Sequence, residues 1–280
     1  MISVLGTGLL GSGFARALRK KGETVHVWNR TASRAKALEA DGCIAFADAA
    51  DAVRGASRVH VIVSDDHAVD NVLAAAQLER GARVYDHTTT SLQGDRERSV
   101  TWRARGVSYL HAPVFMGPQN AAEGTGLMLV SGDRNVVAEA TPVLSTMTGK
   151  LVDFGPEEGR AAAMKLLGNL FLMALAAGFT DMIALGKAMG VSATDVGTLF
   201  EHFNPGASVP ARYRRMIEGD YEHPSWDLAM ARKDARLMQE EMRGGKMVML
   251  PQVAALMDLM IGRGFAEQDW TVIARDLLEK

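Results

Sequence analysis

The chain opens Ile2-Ser3-Val4-Leu5-Gly6-Thr7-Gly8-Leu9-Leu10-Gly11, and one helix-length later it reads Thr24-Val25-His26-Val27-Trp28-Asn29-Arg30-Thr31. A short β-branched and apolar run leads straight into three glycines at G-x-G-x-x-G spacing. Gly6 permits the tight turn out of a strand. Gly8 lets backbone approach a pyrophosphate, and Gly11 lets a helix pack on the strand. The helix that follows turns its free N–H groups and positive dipole end towards the phosphates. The same spacing also occurs in plain strand–turn–helix units. Context separates the two readings: a strand before, a helix after and a second strand at 24–28 point to a dinucleotide. Gly6, Thr7, Gly8, Leu9, Leu10 and Gly11 are therefore candidate cofactor-binding residues.

The end of the second strand bears on which dinucleotide. An NAD site places Asp or Glu there to accept hydrogen bonds from the ribose hydroxyls. This chain has Asn29, Arg30 and Thr31. A guanidinium pairs with a 2′-phosphate and stacks on adenine, whereas a carboxylate repels that phosphate. NADP(H) is the expectation, preferred over NAD(H). The competing reading makes Arg30 a solvated residue ahead of a helix cap at Thr31.

The 280 residues allow two domains. With 48% hydrophobic and 23% charged residues, the composition is that of an ordinary globular chain. A formal net charge of −2 gives no electrostatic case for nucleic acid. The lone cysteine, Cys43, cannot form an internal disulfide, which fits a reducing compartment. The seven histidines show no metal-ligand spacing, so no metal is expected. The first strand begins at Ile2, which leaves no room for a leader in the chain as given; a cytoplasmic location is the expectation. The most apolar run, Leu166 to Leu185, contains Asn169, Thr180, Asp181 and two glycines. It reads as a buried helix rather than a membrane span.

From Met1 to about Asp153, predicted strands alternate with helical stretches, at 2–5, 24–28, 43–45, 58–63, 83–86, 108–110, 127–130 and 150–153. This alternation predicts an α/β, Rossmann-type doubly wound, mostly parallel sheet. Its ligand crevice lies beyond the carboxyl ends of the strands, which would gather Gly6, Asn29, Ser64-Asp65-Asp66 and His87-Thr88-Thr89. From Gly159 onward almost no strand signal remains. The expected organisation is a dinucleotide-binding domain over 1–155, a long interdomain helix over 156–190 and an all-helical domain over 191–280. The interdomain cleft is the default substrate site. The long helix is apolar around most of its circumference, so partners must cover it on several sides. A homodimer, or a larger oligomer built from dimers, is expected.

With these residues in view, the chain resembles the β-hydroxyacid dehydrogenase family, which includes 3-hydroxyisobutyrate dehydrogenase and glyoxylate/succinic semialdehyde reductases. Four ordered segments carry the resemblance. They are the glycine turn with Trp28-Asn29-Arg30-Thr31; His111 to Gly117 with Ala121, Ala122 and Gly124; Gly159 to Asn169; and Lys233-Asp234. Asp86-His87-Thr88-Thr89 is also similar to the family's Asp-x-Ser-Thr. The resemblance implies a substrate-binding role for His111, Phe115, Met116 and Gly117, a catalytic role for Lys165 and Asn169, and cofactor contacts for Thr89 and Lys233. It also marks departures. The family's Asp, Ser and first Gly of the substrate segment correspond here to His111, Phe115 and Met116. A second family Asn corresponds to Gly168.

Lys165 and Asn169 are four residues apart on a helix and share a face. An ammonium there can hydrogen-bond a carbonyl oxygen and give it a proton, or take one back as a base. Burial and nearby cations would bring its pKa towards that role. Otherwise Lys165 is a helix lysine with its stem on apolar surface and its head in water. Lys233 is alternatively a solvated partner of Asp234 or Asp227. Ser64, Asp65 and Thr89 are alternatively helix caps. His111 is either a packed core histidine or a substrate contact. The sequence therefore predicts an NADP(H)-dependent oxidoreductase that moves a hydride to or from a hydroxyl- or carbonyl-bearing carbon. An imine reductase of the same architecture and a non-catalytic NADP(H)-binding protein are the rival readings. Phe115 and Met116, if they face the cleft, predict weak activity on small carboxylate substrates and a preference for apolar or flat ones.

Overall fold

Six strands form one parallel sheet: β1 (Ile2–Leu5), β2 (Val25–Trp28), β3 (Ile44–Ala45), β4 (Arg58–Val61), β5 (Arg83–Asp86) and β6 (Ser108–His111). This is seen in a computed structural model that describes residues 1–278. The strand order is β3-β2-β1-β4-β5-β6. The winding reverses between β1 and β4, and ligands of doubly wound sheets bind at such a switch point. β1 is the pivot: Val4 pairs with Val27 on one side and His60 on the other. All four β1 residues are buried, as a strand covered on both faces requires. One face packs Val4, Val25 and Val27 against Phe14 and Leu18 of the Leu9–Lys20 helix. The other packs Leu5, Val59 and Val61 against Val69 and Leu73 of the Asp66–Ala75 helix and Trp102 of the Leu92–Ala104 helix.

The last predicted strands do not join this sheet. β7 (Val114–Phe115), β8 (Leu127–Val130) and β9 (Lys150–Asp153) form a separate three-stranded sheet, antiparallel between β7 and β8 and parallel between β8 and β9. β7 has only two residues and follows Pro113 directly, so no period-2 pattern announces it. Val114, Met128 and Val130 nevertheless join the first core face.

The chain divides into two compact units, Met1–Asn169 and the part from Leu170 onward. The boundary falls inside the long helix, Arg160–Ala188, rather than at its ends. Past β9 the described residues contain no further strand, only one isolated bridge, Asp227 to Asp269. The second unit packs Leu228, Ala231, Ala254, Met257 and Val272 into its own core. Asp181, within the long helix, accepts hydrogen bonds from the Val248, Met249 and Leu250 amides at 2.6–2.9 Å, and so caps the start of the Leu250–Gly262 helix. Asp269 is fully buried and accepts from Thr271, Ser225 and Arg215.

The long helix, expected to be buried by partners on several sides, is not covered within the single chain. Leu166, Leu167, Leu170, Phe171, Leu172 and Met173 are exposed in the single chain, Leu170 at 64%. Periodicity shows that these residues need cover, and it cannot say that the cover must come from the same chain. By length and composition alone this helix would also suffice to cross a membrane.

Candidate active site

The three glycines of the opening turn do different work. Gly6 has φ +98°, and a Cβ there would lie 2.0 Å from the Ile62 carbonyl oxygen. A Cβ on Gly11 would lie 1.9 Å from the Gly6 carbonyl oxygen, so helix and turn touch there. A Cβ on Gly8 would meet nothing within 4 Å. Packing explains Gly6 and Gly11; the space beside Gly8 suits a phosphate laid against backbone. No side chain caps the Leu9–Lys20 helix that starts there, which leaves its first amides for an anion.

A cavity of about 710 Å³ runs along this turn. That volume is in the usual range for a cofactor or drug-sized ligand. Of the residues singled out in the sequence, Gly6, Gly8, Leu9, Leu10, Asn29, Arg30, Thr31, Ser64, Thr89, Met116 and Lys165 line it. Asn29 has a second task. Its Oδ1 accepts from the Thr7 amide and its Nδ2 donates to the Thr31 carbonyl, both at 3.0 Å, so it ties the glycine turn to the end of β2. Thr31 occupies the cap position of the Ala32–Lys36 helix, but its hydroxyl makes no capping bond. Asp65 is a cap: Oδ1 accepts from the Ala68 amide and Oδ2 from the Ser64 hydroxyl, each at 2.9 Å.

Several lining residues were not foreseen. Arg34 stands four residues after Arg30 at the same end of the cavity. No helical spacing ties it to Arg30, which precedes the cap at Thr31; the available signal was a second cation just past the end of β2. Ala68, Asn71, Val72 and Ala75 form one face of the Asp66–Ala75 helix, at i, i+3, i+4 and i+7. At the other end Val114 is new, while His87 and Thr88 line the cavity with Thr89, as the strand ends predicted, beside Met116 and Lys165. His87 Nδ1 lies 2.8 Å from the Ala112 carbonyl and therefore carries the proton; Nε2 then accepts from His60 Nδ1 at 2.9 Å. Burial lowers the His87 pKa to about 4 and that of His60 well below the imidazole range, so both rings are neutral near pH 7. Beneath them Asp86 accepts from the Thr88 amide and the Tyr109 hydroxyl, and Tyr109 accepts from Arg98.

Of the two readings of His111, packed core histidine or substrate contact, the structure has a buried histidine. It is 2% exposed and does not line the cavity. Its Nε2 meets the Thr88 carbonyl at 2.8 Å and its Nδ1 lies 3.4 Å from Asp95. Burial opposes a charged ring there, but the Asp95 and Asp86 carboxylates outweigh it and raise the His111 pKa. Gly117 starts the Pro118–Glu123 helix, outside the cavity lining, and donates its N–H to Asn120 Oδ1 at 2.9 Å. Lys233 stands on the Leu228–Glu241 helix of the second unit, 2.8 Å from Asp234.

Lys165 is 8% exposed, and its stem does not carry the ammonium out to water. Nζ donates to Asn169 Oδ1 at 3.0 Å and sits 3.9 Å from the centre of the Phe115 ring. Burial lowers its pKa, with no contribution from a neighbouring cation. Phe115 thus turns towards Lys165, and Met116 lines the cavity beside it. A buried amine of lowered pKa in the same cavity as a phosphate-ready turn is suited to moving a proton next to a bound dinucleotide.

The family model for the NAD-binding domain of 6-phosphogluconate dehydrogenase matches residues 1–155. The chain belongs to the β-hydroxyacid dehydrogenase-like family. It is an NAD(P)-binding oxidoreductase of that fold. It is 27% identical to the NAD-dependent L-serine dehydrogenase of Pseudomonas aeruginosa, over 98% of this chain and 96% of that protein. It is 30% identical to the human cytokine-like nuclear factor N-PAC over 84% of this chain, and the match spans 43% of N-PAC. A reductive aminase from Aspergillus terreus, solved with NADPH and ethyl levulinate, superposes with a TM-score of 0.89 at 23% identity, covering 99% of both chains. At that identity the likeness is one of fold.

Proposed function

We propose that this family member is an NADP(H)-dependent dehydrogenase or reductase acting at a hydroxyl- or carbonyl-bearing carbon, with Lys165 as the proton donor and acceptor. The buried Lys165 ammonium in the cavity that begins at the glycine turn carries this reading. When bound, the nicotinamide supplies or accepts the hydride. Lys165 holds the substrate oxygen, protonates it in the reductive direction and deprotonates a hydroxyl in the oxidative one. Asn169 fixes the ammonium. Arg30 and Arg34, with the Thr31 hydroxyl, offer two cations and a neutral donor to a 2′-phosphate. Lys233 is the residue of the second unit that we assign to the cofactor.

Two observations bear on the rivals. Lys165, which the resemblance matches to the catalytic lysine of the hydroxyacid dehydrogenases, favours a hydroxyl/carbonyl reaction over imine reduction. Its burial, which is costly for a lysine without a task, favours turnover over passive cofactor binding. We also propose that a second copy of the chain covers the apolar face of the long helix. Following NADPH and NADH oxidation in parallel, across carbonyl compounds and cyclic imines, tests the reading. Lys165-dependent oxidation of NADPH with a carbonyl substrate is the expected result. Turnover confined to imines, or none with any substrate while NADPH still binds, would overturn it.

A further inference from the structure

We infer that Phe115 and Gly168 are a matched pair that sets the substrate class at Lys165. They select carbonyl compounds with an uncharged apolar or flat face beside the reacting carbon, in place of small carboxylates. This rests on the proposed role of Lys165.

The pairing is geometric. The Phe115 ring centre is 3.9 Å from Lys165 Nζ, and its edge fills the space a side chain at 168 would need. A Cβ on Gly168 would lie 2.3 Å from Phe115 Cζ and 2.8 Å from Cε1. Gly168 is in mid-helix, where glycine costs helical stability without conformational benefit. Its presence is explained by the ring. Any larger residue at 168 must push Phe115 off the ammonium, so each position dictates the other.

The consequence for recognition follows from the donors that remain. An ammonium has three N–H donors and Asn169 takes one. The ring accepts no conventional hydrogen bond, so two Lys165 donors remain for the substrate. A carboxylate beside the reacting oxygen would need further donors. The Gly117 amide is committed to Asn120, and His111 is committed to Thr88 and buried. Met116 and Val114 supply apolar wall. Among the described residues lining this end, Lys165 alone is cationic, because His87 is neutral. A carboxylate here would find the Thr89 hydroxyl but no second cation among the described lining residues, and its desolvation against an aromatic edge would be poorly repaid. A flat or aliphatic group would bury apolar surface on the ring.

The experiment compares cyclohexanone with glyoxylate and succinic semialdehyde, using NADPH, in the parent protein, Lys165→Met, Phe115→Ser and Phe115→Ser/Gly168→Asn. The parent should favour cyclohexanone in kcat/KM by at least tenfold, and the double variant should shift that ratio at least tenfold towards the acids. Melting temperatures test the pairing without turnover. Gly168→Ala should raise Tm more in a Phe115→Ala background than in the parent, because only there does the new Cβ find room. Equal or better activity of the parent on the acids, an unchanged ratio in the double variant, or strictly additive Tm shifts would overturn the inference. If activity on the acids still disappears in Lys165→Met, the acid–base reading survives that failure. If Lys165→Met is fully active, that reading falls and takes this inference with it.

Discussion

Lys165→Met should give two effects of opposite sign. Methionine keeps most of the stem and removes the ammonium. Losing a positioned acid–base group lowers turnover by roughly 10²–10⁴-fold, which is about 2.7–5.4 kcal/mol of barrier. The structure favours the upper half of that range. Nζ has one protein hydrogen bond, to Asn169, and the other side chain against it is an aromatic ring, so no second acid stands ready to replace it. Stability should move the other way. Burial lowers the Lys165 pKa, so below that lowered value the folded state carries an ammonium it disfavours, and the penalty is relieved between it and the unfolded value of 10.5. Stability should rise with pH as that proton is lost, and the methionine variant should gain Tm near pH 7 and lose this dependence. Single-turnover kinetics with NADPH, cofactor titration and thermal unfolding between about pH 7 and pH 10 read all three. Cofactor affinity should stay within about threefold, since the turn that would hold the phosphates is untouched. A variant with more than a tenth of parental activity, or one less stable than the parent at pH 7, would refute the reasoning. In the parent, reduction should also slow as pH rises through the lowered Lys165 pKa, because reduction needs the ammonium.

NADPH should bind at least tenfold tighter than NADH, about 1.4 kcal/mol, and Arg30→Ala should remove most of the difference; equal dissociation constants in the parent would sink the preference. Asp269 sits at about 2 because the hydrogen bonds from Thr271 and Ser225 outweigh the burial that would raise it above the usual 3.8. It should therefore contribute about 2 kcal/mol above the unfolded value, lost as pH falls towards the folded one; urea midpoints of Asp269→Asn and parent should converge in acid, and a constant gap would contradict this. Light scattering at micromolar concentration should find a dimer that Leu170→Glu with Met173→Glu splits; a monomeric parent, or one that stays soluble only in detergent, would remove the second copy from the account.

Much of the first unit was readable because its signals are local. The strand, glycine turn and helix occupy nineteen consecutive residues, and strands alternating with helices imply a parallel sheet, though not its strand order. Arg34 and the Ala68–Asn71–Ala75 face are equally local, but they lie on helices rather than at the strand ends that mark the crevice. The His60–His87 contact was not readable, since it joins residues 27 apart, one on β4 and the other just past β5, and depends on which way each ring turns. The same is true of His111. Its fate depends on Asp95, which belongs to a helix whose inward face carries Asp95, Arg98 and Ser99, so apolar periodicity hides it. Phe115 resisted for another reason. A two-residue strand has no periodicity, and only packing against Gly168 fixes where its ring goes.

The open side of Gly8 separates folding from loading. Its backbone, at φ −67° and ψ −168°, is one that alanine adopts without strain, and the added methyl would touch no protein atom within 4 Å. At Gly6 or Gly11 the same methyl would collide with carbonyl oxygens of the chain itself. Gly8→Ala should therefore leave a native molecule with a permanently obstructed phosphate seat. A genetic replacement carrying it would reveal whether a cell needs this protein's chemistry or only its presence, which deletion of the whole chain cannot do.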